Sequence, residues 1–97
     1  MLTYSDGYAT RNLSGDYTIS CTTFDGGNSA VALELDANLI RRPGRYVIVK
    51  STNAMTNPPT SITASFVGTT SLKVRKTARE SVTYSSGTFD CLTVTVG

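Results

Sequence analysis

A chain of 97 residues with a net charge of +2 and neither histidine nor tryptophan has room for one domain and little of the usual enzymatic toolkit. Histidine is the commonest general acid–base and metal ligand, so its absence removes Ser–His and Cys–His nucleophile pairs and most zinc sites together. The mild basicity is too thin for a nucleic-acid footprint, and no apolar run reaches the length of a membrane span.

Charged residues make up 16% of the chain, below the roughly 25% of an average domain. Ser and Thr together exceed a quarter of it. Such a surface suits exported or assembled β-proteins, and it also follows from the preference of Thr for strands. The opening Met1–Asp6 has neither a charged n-region nor an apolar h-region, so a secretory leader is not expected there.

Along the chain, apolar residues alternate over short windows separated by Gly, Asn, Asp and Pro. Leu2 and Tyr4 begin a first expected strand, and Asp6-Gly7 supplies the positive φ of a tight turn. Ser14-Gly15-Asp16 is the next turn. Tyr17 to Phe24 alternates, with Tyr17, Ile19 and Cys21 on one face, until Asp25-Gly26-Gly27-Asn28 turns the chain. Ala30 to Asp36 follows, with Val31, Leu33 and Leu35 toward the core. The segment from Asp36 to Arg42 alone has helical character, enough for a single turn capped by Asp36 and stopped by Pro43-Gly44.

Arg45 to Ser51 carries the continuous run Val47-Ile48-Val49, which predicts a central strand buried on both faces. Thr52 to Pro59 reads as a loop, because Asn53, Asn57, Pro58 and Pro59 oppose ladder pairing. Met55 at its centre either folds back onto the core or anchors a partner. Alternation resumes over Thr60–Val67 with Ile62, Ala64 and Phe66 on one face, and Gly68 breaks it. Ser71–Lys76, Val82–Ser85 and Asp90–Val96 complete the expected strands, with Ser86-Gly87 as a turn. The pattern predicts one all-β domain over residues 1–97, a small antiparallel β-sandwich or barrel of about seven to eight short strands without substantial helix.

Candidate functional groups are few. Cys21 and Cys91 would close a loop of about seventy residues if bonded, a contribution of roughly 4 kcal/mol in the chain-entropy account. The other reading is two reduced thiols acting as small hydrophobes. The carboxylates Asp6, Asp16, Asp25, Glu34, Asp36, Glu80 and Asp90 fall mostly in turns or at strand ends, without the aromatic groove of a glycosidase. The Asp25–Asn28 turn lacks the oxygen count of a calcium loop. Asn12-Leu13-Ser14 matches a glycosylation acceptor, relevant only to a secreted eukaryotic chain. No catalytic residue, metal ligand or cofactor is expected.

Basic residues form two groups, Arg41, Arg42, Arg45 and Lys50, then Lys73, Arg75, Lys76 and Arg79. Lys73 and Arg75 share one strand face. No aromatic residue is interleaved for stacking single-stranded nucleic acid. Such charges protect strand edges from aggregation or meet an acidic surface on a protein partner. The partner-binding candidates are therefore Met55, Asn57 and Pro58 on the loop, with Arg41, Arg42, Arg45, Lys73 and Arg75 from the basic groups. Tyr4, Tyr8 and Tyr84 lie near turns, where a phenol packs against an interface or a corner.

In small size, hydroxyl-rich strands, few charges and no active-site motif, the chain resembles small all-β bacteriophage virion proteins of the capsid decoration or cement type. The resemblance is one of overall character and transfers no functional residue. It implies a non-enzymatic virion component, assembled in the host cytoplasm, that stabilises a shell by binding neighbouring subunits. It also implies a homo-oligomer with a trimer favoured, and neither a nucleic-acid partner nor membrane insertion. The alternative is a stand-alone adhesin-like or Ig-like module, extracellular, that meets its partner through the Thr52–Pro59 loop and the Asp25–Asn28 turn.

Overall fold

The structure, a computed structural model, describes residues 10–12 and 19–97. The expected Leu2–Tyr4 strand, the turns at Asp6-Gly7 and Ser14–Asp16, and Tyr8 and Tyr17 lie outside the described residues. The described residues form seven strands and no helix: β1 (Thr10–Asn12), β2 (Ile19–Cys21), β3 (Ala30–Asp36), β4 (Gly44–Ser51), β5 (Ser61–Val67), β6 (Val74–Tyr84) and β7 (Gly87–Val96).

β4 is the hub. It pairs antiparallel with β7, and along its other side it holds β1 and then β2, both parallel. β6 closes the far side of this larger sheet against β7. β3 and β5 form a second, two-stranded sheet, paired in parallel through seven residues from Ala30↔Ser61 to Asp36↔Val67. The all-β expectation holds, with two sheets, but the antiparallel expectation holds only for β4–β7 and β6–β7. Alternation reports which face a strand buries and is silent on the direction of its neighbour.

A bulge in β4 explains its unbroken apolar run. The register with β7 shifts between Val47 and Val49, so Ile48 is an extra residue in the ladder. Tyr46, Ile48 and Val49 then all enter the main core with Leu92, Val94 and Val96 of β7. Val47 points to the other face of the sheet, where it joins Cys91 and Val82. Each such buried aliphatic side chain contributes about 1.5–3 kcal/mol.

The smaller sheet lays Val31, Leu33 and Leu35 of β3 and Ile62, Ala64 and Phe66 of β5 against that core, the faces read from the sequence. Asp36 forms the expected single turn: its carbonyl accepts from the backbone N–H of Leu39 and Ile40 at 3.0 Å, and its Oδ1 from that of Asn38 at 2.8 Å. Ile40 drops from this turn into the core.

Two sequence segments expected as separate strands, Ser71–Lys76 and Val82–Ser85, belong largely to one long strand, β6, of 11 residues. The intervening Thr77-Ala78-Arg79-Glu80 lacks apolar alternation, but β7 offers a ladder partner throughout, from Thr77↔Val94 to Glu80↔Cys91. Backbone pairing carries the strand where the side-chain pattern fails. Thr77 Oγ1 donates to the Ile62 carbonyl at 2.7 Å and ties β5 to β6.

Candidate partner-binding surfaces

The segment leading from β2 into β3 runs beside the segment leading from β4 into β5 for its whole length. The β2–β4 ladder ends at Cys21↔Ser51, and the β3–β5 ladder begins at Ala30↔Ser61. Between them the two chains stay paired: Asn53 N–H donates to the Thr22 carbonyl at 2.8 Å and Thr56 N–H to that of Phe24 at 3.0 Å. Gly26 N–H then donates to Thr56 at 3.0 Å, and Asn28 N–H to the Asn57 carbonyl at 3.1 Å. Both chains pass together from one sheet to the other, each turning with an asparagine in the left-handed region, Asn28 at φ 52° and Asn57 at φ 46°. Gly26 is required at this corner, since a Cβ there would lie 2.6 Å from Pro59 Cδ and 2.7 Å from the Asn57 carbonyl oxygen.

The Asp25–Asn28 turn and the Thr52–Pro59 loop, separate in sequence, thus form one surface. Asp25 Oδ1 accepts from Gly27 N–H at 2.8 Å and from Asn57 Nδ2 at 3.3 Å, and Asn28 Nδ2 donates to Asn57 Oδ1 at 3.3 Å. Asn57 and Pro58 are exposed there. Met55 is not. It is 6% exposed and packed in the main core, the folded-back arrangement that the sequence offered as one of two readings.

Two residues that the sequence did not single out hold this surface in place. Ser51, fully buried at the end of β4, accepts the Phe24 N–H at 3.0 Å and donates to the Asn53 carbonyl at 2.7 Å. Asp90 on β7 accepts the Met55 N–H at 2.8 Å. A serine ending an apolar strand and an aspartate opening one look like ordinary punctuation, so only their partners identify them.

The basic residues do not gather into one stripe. Arg41 and Arg42 are exposed beyond the Asp36 turn, where Arg41 Nε donates to the Asn38 carbonyl at 3.0 Å. Arg45 is half-buried and ion-paired with Glu80 across β7. Arg79 is ion-paired with Asp90 at 2.8 Å. Lys50 lies over the rings of Tyr84 and Phe89, 4.8 and 4.7 Å from their centroids. Lys73 and Arg75 are exposed, with Lys73 joined to Gly97 by reciprocal backbone hydrogen bonds of 3.1 and 3.0 Å.

Cys21 and Cys91 are both free thiols, so the Cys21–Cys91 disulfide is not formed. β4 lies between their strands, with Cys21 opposite Ser51 and Cys91 opposite Lys50. Two strand spacings separate them by about 9–10 Å, beyond the roughly 7 Å that a disulfide spans. Successive positions on β4 also place them on opposite faces of the sheet. Burial, and next the Asp90 carboxylate, push the Cys91 thiol above its ordinary pKa.

A third surface was not anticipated. β3 pairs with β5 on one side, and among the described residues no strand pairs with the other. Along β3 lies a largely apolar groove of about 430 Å³, lined by Ile19, Leu33, Leu35, Leu39, Ile40 and Ile48 and bordered by Glu34 and Asp36 of the same strand. Ile19 and Leu39 at its rim are 55% and 38% exposed, among the few large apolar side chains of the described residues left so open. Glu34 and Asp36 stand on the solvent face of the same strand.

Among the described residues no helix is long and apolar enough to cross a membrane, and no cluster of three or more metal-ligating side chains occurs. Comparison of the chain with protein-family models, curated proteins and solved structures finds no match.

Proposed function

We infer that this chain is a non-enzymatic structural protein that works by strand pairing with neighbouring subunits, as a capsid decoration protein does when it stabilises a shell. The observation that carries this reading is the free edge of β3 above its apolar groove. Among the described residues nothing pairs with this edge, and open backbone N–H and C=O groups beside exposed Ile19 and Leu39 are a liability in a solitary protein and an asset in an assembled one. Low charge and hydroxyl-rich strands fit a surface that is partly covered by other subunits.

The test is light scattering behind a sizing column, with and without reductant. The expected outcome is a trimer or larger ring that persists on dilution and ignores reductant, since both cysteines are free thiols. A strict monomer at every concentration counts against this reading.

One observation favours a second reading, a binding module that recognises an extracellular partner through its loops. The Asp25–Asn28 turn and the Thr52–Pro59 loop are locked side by side into a single surface of amide and carboxylate groups. Under that reading the variant Pro58→Ala, at an exposed position of that surface, loses partner binding while its fold and oligomeric state stay unchanged.

A further inference from the structure

The charge at the free edge of β3 specifies what pairs with it. The described residues contain four acidic side chains on strands, Glu34, Asp36, Glu80 and Asp90. Glu80 is ion-paired with Arg45 and Asp90 with Arg79, whereas among the described residues no cation stands within ion-pair distance of Glu34 or Asp36. These two residues lie two positions apart on β3, both exposed and alternating with Leu33 and Leu35, and they border the groove with them. Among the described residues, the strand carboxylates without an ion pair thus both lie on β3, one of the strands whose ladder is open on one side.

We propose that the free edge of β3 accepts one extended strand from a partner polypeptide, with apolar side chains covering the Ile19–Leu39 groove and Lys or Arg on its solvent face opposite Glu34 and Asp36. This rests on the reading that the chain functions by pairing with neighbouring subunits, and it names the chemistry of the partner. Backbone hydrogen bonds supply the pairing, the groove selects apolar residues at alternate positions, and the carboxylates select for cations between them.

A second β3 is the poorer occupant. Antiparallel self-pairing centred on Leu33 sets Ala32 opposite Glu34 and Ala30 opposite Asp36, which avoids direct contact between like charges. It still brings the two Glu34 side chains into diagonal positions about 7–8 Å apart, with the Asp36 pair flanking them and nothing to neutralise them. A basic strand removes the repulsion and completes the pairs.

The experiment uses the full chain, isotope-labelled, with two capped peptides as probes, one of alternating valine and lysine and one of alternating valine and glutamate. The valine–lysine peptide is expected to shift the backbone amides of β3 and the Ile19, Leu39 and Ile40 signals, saturably and more weakly at high salt. The Glu34→Gln/Asp36→Asn double variant keeps the Asp36 turn acceptor and is expected to bind about three- to tenfold more weakly, as two surface ion pairs predict. Equal binding of the two peptides overturns the proposal and leaves strand pairing at the edge intact. Shifts confined to other strands, or none, also overturn it. Light scattering without peptide reports separately on self-association, so failure here is distinct from failure of the particle-protein reading.

Discussion

The carboxylate of Asp90 joins β7 to the middle of the 52–59 loop by accepting the Met55 backbone N–H at 2.8 Å, and Arg79 of β6 grips the same oxygen at 2.8 Å. One side chain thereby connects a loop, a central strand and an edge strand. Met55 is placed in the core by this tether, and the loop surface that carries Asn57 and Pro58 is held above it.

Removing the tether should cost more than removing its outer half. Asp90→Ala strips the acceptor from a backbone N–H in a partly buried position and is expected to destabilise the chain by about 1.5–3 kcal/mol. Arg79→Ala removes an ion pair whose arginine is 39% exposed, and the expected cost is below about 1 kcal/mol. Urea denaturation of the two variants measures both, and an equal cost would contradict the assignment.

Ser51 carries the corner in the same way. Ser51→Ala leaves the Phe24 N–H without its acceptor in a fully buried site, for an expected loss of about 1–3 kcal/mol. Amide exchange should accelerate over residues 22–28 and 52–57 before it does in β6 and β7, because the corner then opens as a local unit.

Gly26→Ala forces a Cβ against Pro59 and the Asn57 carbonyl, both on the paired loop, and should lower stability by about 1–3 kcal/mol through overpacking. Met55→Ala empties part of the core and should cost about 2–5 kcal/mol, while Met55→Leu should cost under about 1.5 kcal/mol. Thermal unfolding ranks these variants directly.

The raised pKa of Cys91 gives stability a defined pH dependence. In the unfolded chain its thiol loses the proton near the ordinary thiol value of about 8.5, while the folded thiol keeps it to higher pH. Between the two values the folded state binds more protons, so stability falls as pH rises, and the contribution is intact below the unfolded value. The Cys91→Ala variant should lose this part of the alkaline slope. A thiol reagent at neutral pH should modify half-exposed Cys21 well ahead of buried Cys91, and the reverse order would refute the burial argument.

Strand positions and inward faces were legible where one face meets the core and the other meets water. Val31, Leu33 and Leu35, and likewise Ile62, Ala64 and Phe66, alternate because a two-stranded sheet lying on a core has one wet side. The same logic failed over residues 77–80, where pairing to β7 decides the conformation. The site was less legible than the fold. The exposed loop positions of Asn57 and Pro58 were legible because loop residues announce themselves, whereas Met55 was ambiguous in sequence, and Ser51 and Asp90 gave no signal beyond strand-end polarity.

Local backbone preference and face-by-face hydrophobicity therefore determined, from the sequence alone, that this is an all-β chain with a central buried strand, a single turn after Asp36 and a loop over 52–59. Tertiary structure decided the rest: the parallel pairing of β3 with β5, the separation of Cys21 from Cys91 across β4, the joining of two distant loops at one corner, and the acidic edge of β3, unpaired among the described residues. The physical reason is range. Alternation and turn chemistry act between residues a few positions apart, whereas the β3–β5 pairing, the Arg45–Glu80 ion pair and the corner of the two loops join residues about thirty or more positions apart, which a local pattern does not encode.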